Sequence, residues 1–285
     1  GSFGPAWRAA ARLIGKGDDA PEIVRAATSG SVFHGTSAEF ETFERGGDLL
    51  SPGGGALQIN AAPNPDSGLG FHFSTDPNAA GVIGENVMER TIRLDNPLYL
   101  PRFSNAADLR YRAYVSEVGL DDIYEEGYQA YATNNGFTDF VNQGTPAERI
   151  MSGRGVRPGS DYGTNVESTY LNLFRTELNR VENIRLLVAD HGMPIAKAEA
   201  LNPYRAGSGV PDLSSVSDEV LEGWKSLKGG SGNSVGTGGP GDEVTRQWVK
   251  AQGYDGLYIE DAWMGNPVVD WASSRLGAPE TGAPG

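Results

Sequence analysis

Apolar and polar residues follow two different periods along this chain. Short apolar runs around Phe33 and over residues 71–73 have the composition of buried strands. Residues 88–94 alternate between two faces and predict a further strand, which continues as extended chain over residues 97–100. A proline in the first-turn position makes residues 77–83 a predicted short helix.

The period becomes helical between residues 104 and 228. Apolar residues recur there at spacings of three or four, so this stretch predicts several amphipathic helices. Five tyrosines of the stretch are expected to belong to a core or an interface rather than to a ligand site. They are Tyr111, Tyr114, Tyr124, Tyr128 and Tyr131.

The last part of the chain returns to strands. A helix is predicted from Asp242, as its N-cap, to a stop at Gly253. Two strand-like runs, residues 254–261 and 267–271, flank a short turn and predict an antiparallel hairpin. Strands and helices do not alternate regularly, so the pattern is that of a mixed α+β protein.

The changes of pattern divide the chain into segments. We expect an N-terminal helical segment (1–30), the first part of a core (31–101), a helical insertion with a flexible Gly-rich end (102–240), the second part of the core (241–276) and a linker-like tail (277–285). A Gly/Pro/Asn-rich connector, residues 46–68, is a candidate mobile loop. The composition of both ends favours a domain taken from a longer polypeptide.

Composition narrows the partners. The 285 residues are 38% hydrophobic, which suits a globular protein with a core. A net charge of −14 makes a nucleic-acid partner unfavourable and leaves a basic protein target compatible. The sequence has no cysteine, and no run approaches the ~18 apolar residues of a membrane span. We therefore expect a cytoplasmic protein without a membrane partner.

Two of the three histidines lie in patterned segments: Val32-Phe33-His34-Gly35-Thr36-Ser37 and Gly70-Phe71-His72-Phe73-Ser74-Thr75-Asp76. The first resembles the first-strand motif of ADP-ribosyltransferases of the diphtheria-toxin and poly(ADP-ribose)-polymerase-like superfamily. The second resembles the motif in which a strand of these enzymes leads into a short helix. Residues 91–100 and 253–258 are similar to two later segments of the same group, in the expected order.

One position refines the resemblance. The better-known enzymes of the superfamily carry tyrosine where this chain has His72. A histidine at that position, with phenylalanine on both sides, is more similar to the ADP-ribosyltransferase domains of phage and mobile-element polyvalent proteins. The resemblance covers the two core segments and not the helical stretch between them.

The resemblance implies an α+β fold with a split antiparallel β-sheet core of ADP-ribosyltransferase type, interrupted by a large helical insertion. It implies that NAD is the substrate, that nicotinamide is released and that ADP-ribose passes to a macromolecule, for which we expect a protein. NAD hydrolysis is expected as an accompanying activity. The resemblance is also compatible with a toxin or effector that is associated with a virion. Such a reaction passes through an oxocarbenium-like state and needs a clamped dinucleotide and a nearby carboxylate, but no metal.

The resemblance also implies roles for individual residues. His34 would bind the ribose, the backbone of Gly35 would bind the carboxamide, and His72 would stack on or orient the nicotinamide ribose. The remaining residues expected to bind the dinucleotide are Thr36, Phe73, Ser74 and Thr75.

The third catalytic residue stays open at this point. Chemistry favours Glu260, whereas register against the late strand favours Asn266, with Asp261 as a further candidate. If Asn266 is the equivalent residue, transfer is weak, restricted to single ADP-ribose units, or lost.

Other interpretations compete with the enzyme. One is a catalytically inert interaction module of the same fold within a phage or mobile-element polyprotein. Another, less favoured, is a zinc hydrolase with His34, His72 and His191 as ligands. A basic group, Arg149, Arg154 and Arg157, is expected in a solvated loop, with NAD pyrophosphate or an acidic acceptor as its alternative contact.

Overall fold

The protein separates into two compact units. In the computed structural model, the described residues are 29–36, 71–74, 76–83, 85–94, 96–100, 104–137, 144–152, 154–156, 163–205, 209–228, 240–259 and 268–270. Unit 1 comprises Gly1–Ala107 and Val235–Gly285, and unit 2 comprises Asp108–Ser234. Helix and strand are mixed, and helix predominates among the described residues.

The elements are numbered in chain order. The strands are β1 (Ser29–Thr36), β2 (Phe71–Phe73), β3 (Asn86–Arg93), β4 (Pro97–Leu100), β5 (Arg154–Val156), β6 (Gly163–Asn165), β7 (Gly256–Ile259) and β8 (Val268–Asp270). The helices are α1 (Pro77–Ile83), α2 (Ser104–Glu117), α3 (Asp121–Asn134), α4 (Pro146–Ser152), α5 (Val166–His191), α6 (Ile195–Leu201), α7 (Asp218–Lys228) and α8 (Pro240–Ala251).

Among its described residues, unit 1 contains two sheets that one bridge connects. β1 and β3 form an antiparallel ladder, and a second sheet has the strand order β2-β8-β7-β4. A bridge between Phe33 and Ser74 connects β1 to β2. The expectation of a wholly antiparallel core is wrong for β4 and β7, which pair in parallel. These strands are far apart in the sequence, so no hairpin turn dictates their direction.

Local predictions in unit 1 are confirmed where the pattern was regular. The helix over residues 77–83 and the strand around residues 88–94 are present as α1 and β3. β7 and β8 pair antiparallel, with Leu257 opposite Val269, as the predicted hairpin requires.

The helix before β7 begins earlier than expected. α8 starts at Pro240, so Asp242 lies in its first turn, only 1% exposed, rather than at its N-cap. The predicted stop is confirmed, because Gly253 has φ +94° and its N–H donates to the carbonyl of Lys250 at 2.9 Å.

The tyrosines of unit 2 form part of its core, as the pattern predicts. Tyr124, Tyr128 and Tyr170 are fully buried and pack ring to ring, and Phe174 packs against the rings of Tyr124 and Tyr170. A second group places the rings of Tyr111 and Tyr114 against the indole of Trp224. Unit 2 therefore has an aromatic core of its own.

The solvated-loop interpretation of the basic group is wrong for Arg149. This arginine lies in α4 and is only 7% exposed, because its guanidinium is bound by Glu125 and Glu167. Arg154 begins β5, and Arg157 lies outside the described residues.

Several predicted segments fall outside the described residues, namely residues 1–28, the connector over 46–68 and the tail over 277–285. β1 begins at Ser29, two residues before the predicted start of the core. Among the described helices, none combines the length and the apolar character needed to cross a bilayer.

Candidate functional site

The two histidine-containing segments meet through backbone hydrogen bonds. The N–H of Phe33 donates to the carbonyl of Ser74 at 2.7 Å, and the N–H of Ser74 donates to the carbonyl of Phe33 at 2.8 Å. Backbone groups of successive residues in a paired strand point to opposite sides. The N–H and C=O of Gly35 therefore point to the same side of β1 as those of Phe33, towards β2 and away from β3.

Strand pairing stops just before Gly35. The Phe33–Ser74 bridge is isolated, so the strand pairing does not continue to Gly35 and His72. We call the space between the backbones of these two residues the β1–β2 gap. Gly35 is buried, yet no described strand pairs with it on this side. Buried backbone groups ordinarily have a hydrogen-bond partner, so the gap suits a ligand that offers both an acceptor and a donor.

Glycine at position 35 is also a steric requirement. A Cβ atom on this residue would lie 1.7 Å from the carbonyl oxygen of Ala80, because α1 packs directly against β1. This is far inside van der Waals contact, so even alanine cannot be accommodated without moving the helix. The His-Gly pair is thus explained in part by packing and not by ligand chemistry alone.

The segment after β2 turns the chain into α1. The hydroxyl of Ser74 accepts a hydrogen bond from the N–H of Asp76 at 3.0 Å, and Oδ1 of Asp76 accepts one from the N–H of Asn78 at 2.8 Å. Asp76 is thereby the N-cap, and Pro77 occupies the first helical position. The predicted dinucleotide-binding residue Ser74 is 6% exposed and holds this turn.

His34 lies beside the β1–β2 gap and is half-buried. Its ring packs against Phe73 with a centroid distance of 5.7 Å and an interplanar angle of 58°. Phe73 is 2% exposed, so it acts here as a wall that restrains the imidazole. The structure thus brings together His34, Gly35, Phe73 and Ser74 from the predicted set.

Most of the other predicted site residues have side chains outside the described part of the chain. His72 and Thr36 belong to β2 and β1, but their side chains lie outside the described part, as does the whole of Thr75. Glu260, Asp261 and Asn266 also lie outside the described residues. His191 is exposed at the end of α5 in unit 2. No group of three or more His, Cys, Asp or Glu side chains that could hold a metal occurs in the part of the chain that is described.

Unit 2 holds a second concentration of charge. Arg149 donates from Nε to Glu167 at 3.1 Å and from a terminal nitrogen to Glu125 at 2.6 Å, and Arg112 also binds Glu125 at 2.6 Å. Tyr124 donates its hydroxyl hydrogen to Glu167 at 3.1 Å. We call these five residues the buried charge cluster.

The electrostatics of this cluster reflect burial. Burial raises the pKa of Glu167, and Arg149 acts in the opposite direction. Burial and the neighbouring Glu167 carboxylate raise the pKa of Tyr124 well above its ordinary value. The two guanidinium groups also lie over tyrosine rings, Arg112 at 4.4 Å from the centroid of Tyr124. Perturbed ionisable groups often mark active sites, but here each charge is bound by another member of the cluster.

Sequence reasoning missed the hydrogen bonds that connect the turn before β4 to the turn before β7. Asn96 and Asp255 hydrogen-bond to one another across 159 residues of chain. Both lie in segments that the resemblance had singled out, in the turns just before β4 and β7. The two segments were therefore recognisable as motifs in the sequence, but the hydrogen bonds between them were not.

Comparison of the chain with protein-family models, with curated proteins and with solved structures finds no match.

Proposed function

We propose that this protein is an NAD-dependent ADP-ribosyltransferase, with a split-sheet fold of that type, which binds the nicotinamide end of NAD in the β1–β2 gap. The observation that carries the proposal is the isolated Phe33–Ser74 bridge, which leaves the backbone of Gly35 facing the gap. A carboxamide is a donor and an acceptor held in one plane. It is complementary to the N–H and C=O of a single extended residue.

The surroundings of Gly35 support the same ligand. His34 directly precedes Gly35, is half-buried, and has its ring restrained by Phe73. An imidazole held in this way can hydrogen-bond a ribose hydroxyl while the base is anchored by the backbone. His72 is the residue of β2 across the gap, and we retain it as the group that orients the nicotinamide ribose.

The third catalytic group is proposed from strand order. β2 and β7 both run antiparallel to β8, so they run in the same direction, and both end at or next to the row in which Tyr258, Val268 and Phe73 are opposite one another and Phe73 contacts the ring of His34. In the sequence Glu260 follows β7, and Asn266 precedes the start of β8 by two residues. We favour Glu260, because a carboxylate stabilises the oxocarbenium ion that forms when nicotinamide departs.

A protein is the acceptor that we propose. The net charge of −14 repels nucleic acid at long range and attracts a basic protein surface. The same proposal includes the location and the context of the protein. The location is the cytoplasm of a producing or host cell, or a virion, and the context is a longer phage or mobile-element polypeptide.

Incubation with labelled NAD and a cell lysate tests the proposed function. We expect a labelled protein band and free nicotinamide from the wild type, both lost in His34→Ala and Glu260→Gln and both kept in His191→Ala. Loss in Asn266→Ala with retention in Glu260→Gln would move the third role to Asn266. Nicotinamide release without a band would indicate NAD hydrolysis. If neither product forms and NAD does not raise the melting temperature, the inert interaction module is the correct interpretation.

A further inference from the structure

Two turns far apart in the chain are tied together where β4 and β7 begin. The backbone N–H of Asn96 donates to Oδ1 of Asp255 at 3.0 Å, and Nδ2 of Asn96 donates to the carbonyl of Gly253 at 2.8 Å. The backbone N–H of Asp255 donates to the carbonyl of Asn96 at 3.2 Å. These three hydrogen bonds form what we call the Asn96–Asp255 clamp.

The clamp lies where it can set the register of β7. The parallel ladder begins at the next residue of each turn, with Pro97 opposite Gly256, and runs to Leu100 opposite Ile259. Parallel strands have no hairpin turn to fix their alignment, and a slip of one residue reverses the face of every side chain. Leu98 and Leu257, an opposed pair, are 3% and 0% exposed, so such a slip would also expose the core.

β7 is connected to the β1–β2 gap through one row of the sheet. Tyr258 is opposite Val268, Val268 is opposite Phe73, and Phe73 contacts the ring of His34. In the sequence, the residue after the last residue of β7 is Glu260. The alignment of β7 and the restraint on His34 therefore depend on the same sheet.

We propose that Asp255 is a positioning residue, which acts through the Asn96–Asp255 clamp to hold β7 in register, so that the row of Tyr258, Val268 and Phe73 keeps the ring of His34 where it meets the ribose of NAD. This inference rests on the proposed function. Asp255 need not touch NAD, because its carboxylate accepts from a backbone N–H and its own backbone donates to the other turn.

Four proteins test the clamp: the wild type, Asp255→Ala, Asp255→Asn and the control Asp190→Ala, whose aspartate is exposed in unit 2. Nicotinamide release is measured against NAD concentration, well below the melting temperature of each variant. Backbone amide exchange of residues 256–259 is measured in the same samples. We expect kcat to fall about 100-fold in Asp255→Ala, with KM for NAD changed by less than about threefold, because misplacing a reacting group affects the chemical step.

The conservative variant separates positioning from charge. Asp255→Asn keeps an oxygen acceptor for the N–H of Asn96, so its kcat should stay within about threefold of the wild type. Amide exchange in β7 should quicken in Asp255→Ala and not in Asp255→Asn or Asp190→Ala. A lower melting temperature in Asp255→Ala with unchanged kcat would mean a merely structural clamp and would overturn the proposal.

Failure of the proposed function gives a different result. A wild type that releases no nicotinamide overturns both the enzyme and the catalytic part of this inference. In that case the amide exchange still decides the structural part: faster exchange of β7 in Asp255→Ala supports the clamp as a register device, and unchanged exchange removes it.

Discussion

The β1–β2 gap of unit 1 and the buried charge cluster of unit 2 both withdraw polar groups from water, but they satisfy them differently. In the cluster, Arg112 and Arg149 are bound on one side by Glu125 and on the other approached by Glu167. In the gap, the backbone of Gly35 is buried and no described strand pairs with it on the side of β2. The charged groups of the cluster are paired with protein groups, including Asp121 beside Arg112, whereas the gap is suited to a ligand.

This difference bears on how sites are recognised. Buried arginines, raised pKa values and stacked tyrosines are all features that often indicate catalysis, and in this protein they lie in unit 2. The features that support NAD binding are plainer, namely one glycine, one half-buried histidine and the end of a strand ladder. Polar groups that are paired with other protein groups need no ligand as a partner, so they are weaker evidence for a binding site.

The largest expected effect is on the cluster. Glu167→Ala leaves two buried guanidinium groups without one of their carboxylates, and we expect the free energy of unfolding to fall by about 3–5 kcal/mol. Chemical denaturation measures this change. The matched control is Glu126→Ala, an exposed residue of α3, with an expected change within about 0.5 kcal/mol. A loss below about 1 kcal/mol for Glu167→Ala would mean that the cluster is not a stabilising unit.

The next largest effect concerns the packing beside the gap. In Gly35→Ala the new Cβ would lie 1.7 Å from the carbonyl oxygen of Ala80, and we expect a loss of about 1–3 kcal/mol or more. In the control Gly81→Ala, a neighbouring α1 position, the nearest atom is Cγ2 of Val87 at 3.7 Å. That variant should be about 0.5–1 kcal/mol more stable than the wild type in thermal unfolding. Equal behaviour of the two variants would contradict the close packing of α1 on β1.

Alkaline pH should act on the aromatic core of unit 2. Burial raises the pKa of Tyr124, Tyr128 and Tyr170 above the ordinary value of 10.0. The stability that these tyrosines confer is complete below pH 10.0 and is lost as the pH rises towards their folded pKa values. The loss is steepest where only the unfolded chain is ionised, about 1.4 kcal/mol per pH unit for each tyrosine. Denaturation at several pH values, with tyrosinate absorbance, measures it.

Tyr170→Phe sharpens that measurement. The hydroxyl of Tyr170 has no hydrogen-bond partner among the described residues and lies against Gly127. Removing it should change stability at neutral pH by less than about 1 kcal/mol and should reduce the alkaline slope by the share of one tyrosine. An unchanged slope would show that Tyr170 ionises freely in the folded protein.

The smallest expected effect is at the surface of unit 2. Hydrogen bonds from Ser214 lower the pKa of Asp212, and Arg180 lies 3.1 Å from its carboxylate. The ionised form stabilises the fold above the ordinary pKa of 3.8, and this contribution is lost as the pH falls through the lower folded value. Because Asp212 is 52% exposed, Asp212→Asn should cost less than about 0.5 kcal/mol at pH 7. A cost as large as that of Glu167→Ala would remove the contrast between surface and buried pairs.

Local elements could be predicted from the sequence because their signals are local. Pro77 marks the start of α1, alternation marks β3, and the two strand-like runs near the end of the chain mark β7 and β8. The arginine of α4 could not be placed, since its partners lie 18 and 24 residues away. The parallel pairing of β4 with β7 was missed for the same reason, as its clamp spans 159 residues.

The candidate site shows the same limit. The segments containing His34 and Phe73 could be identified, and their contact is a property of the fold. The sequence does not show that strand pairing ends before Gly35. A glycine required by the close approach of Ala80 cannot be distinguished in the sequence from a glycine required for binding a ligand.

The most direct test of the β1–β2 gap is the nuclear magnetic resonance signal of the Gly35 amide. Labelling histidine carbonyl carbon with ¹³C and glycine nitrogen with ¹⁵N selects His-Gly pairs, and the sequence contains two, His34-Gly35 and His191-Gly192. On titration with nicotinamide we expect the Gly35 signal to shift and saturate, while the Gly192 signal of unit 2 stays in place. Benzamide, which keeps the carboxamide, should give the same result, and nicotinate, which cannot donate, should not. An unmoved Gly35 signal, or equal shifts of both signals, would contradict the account.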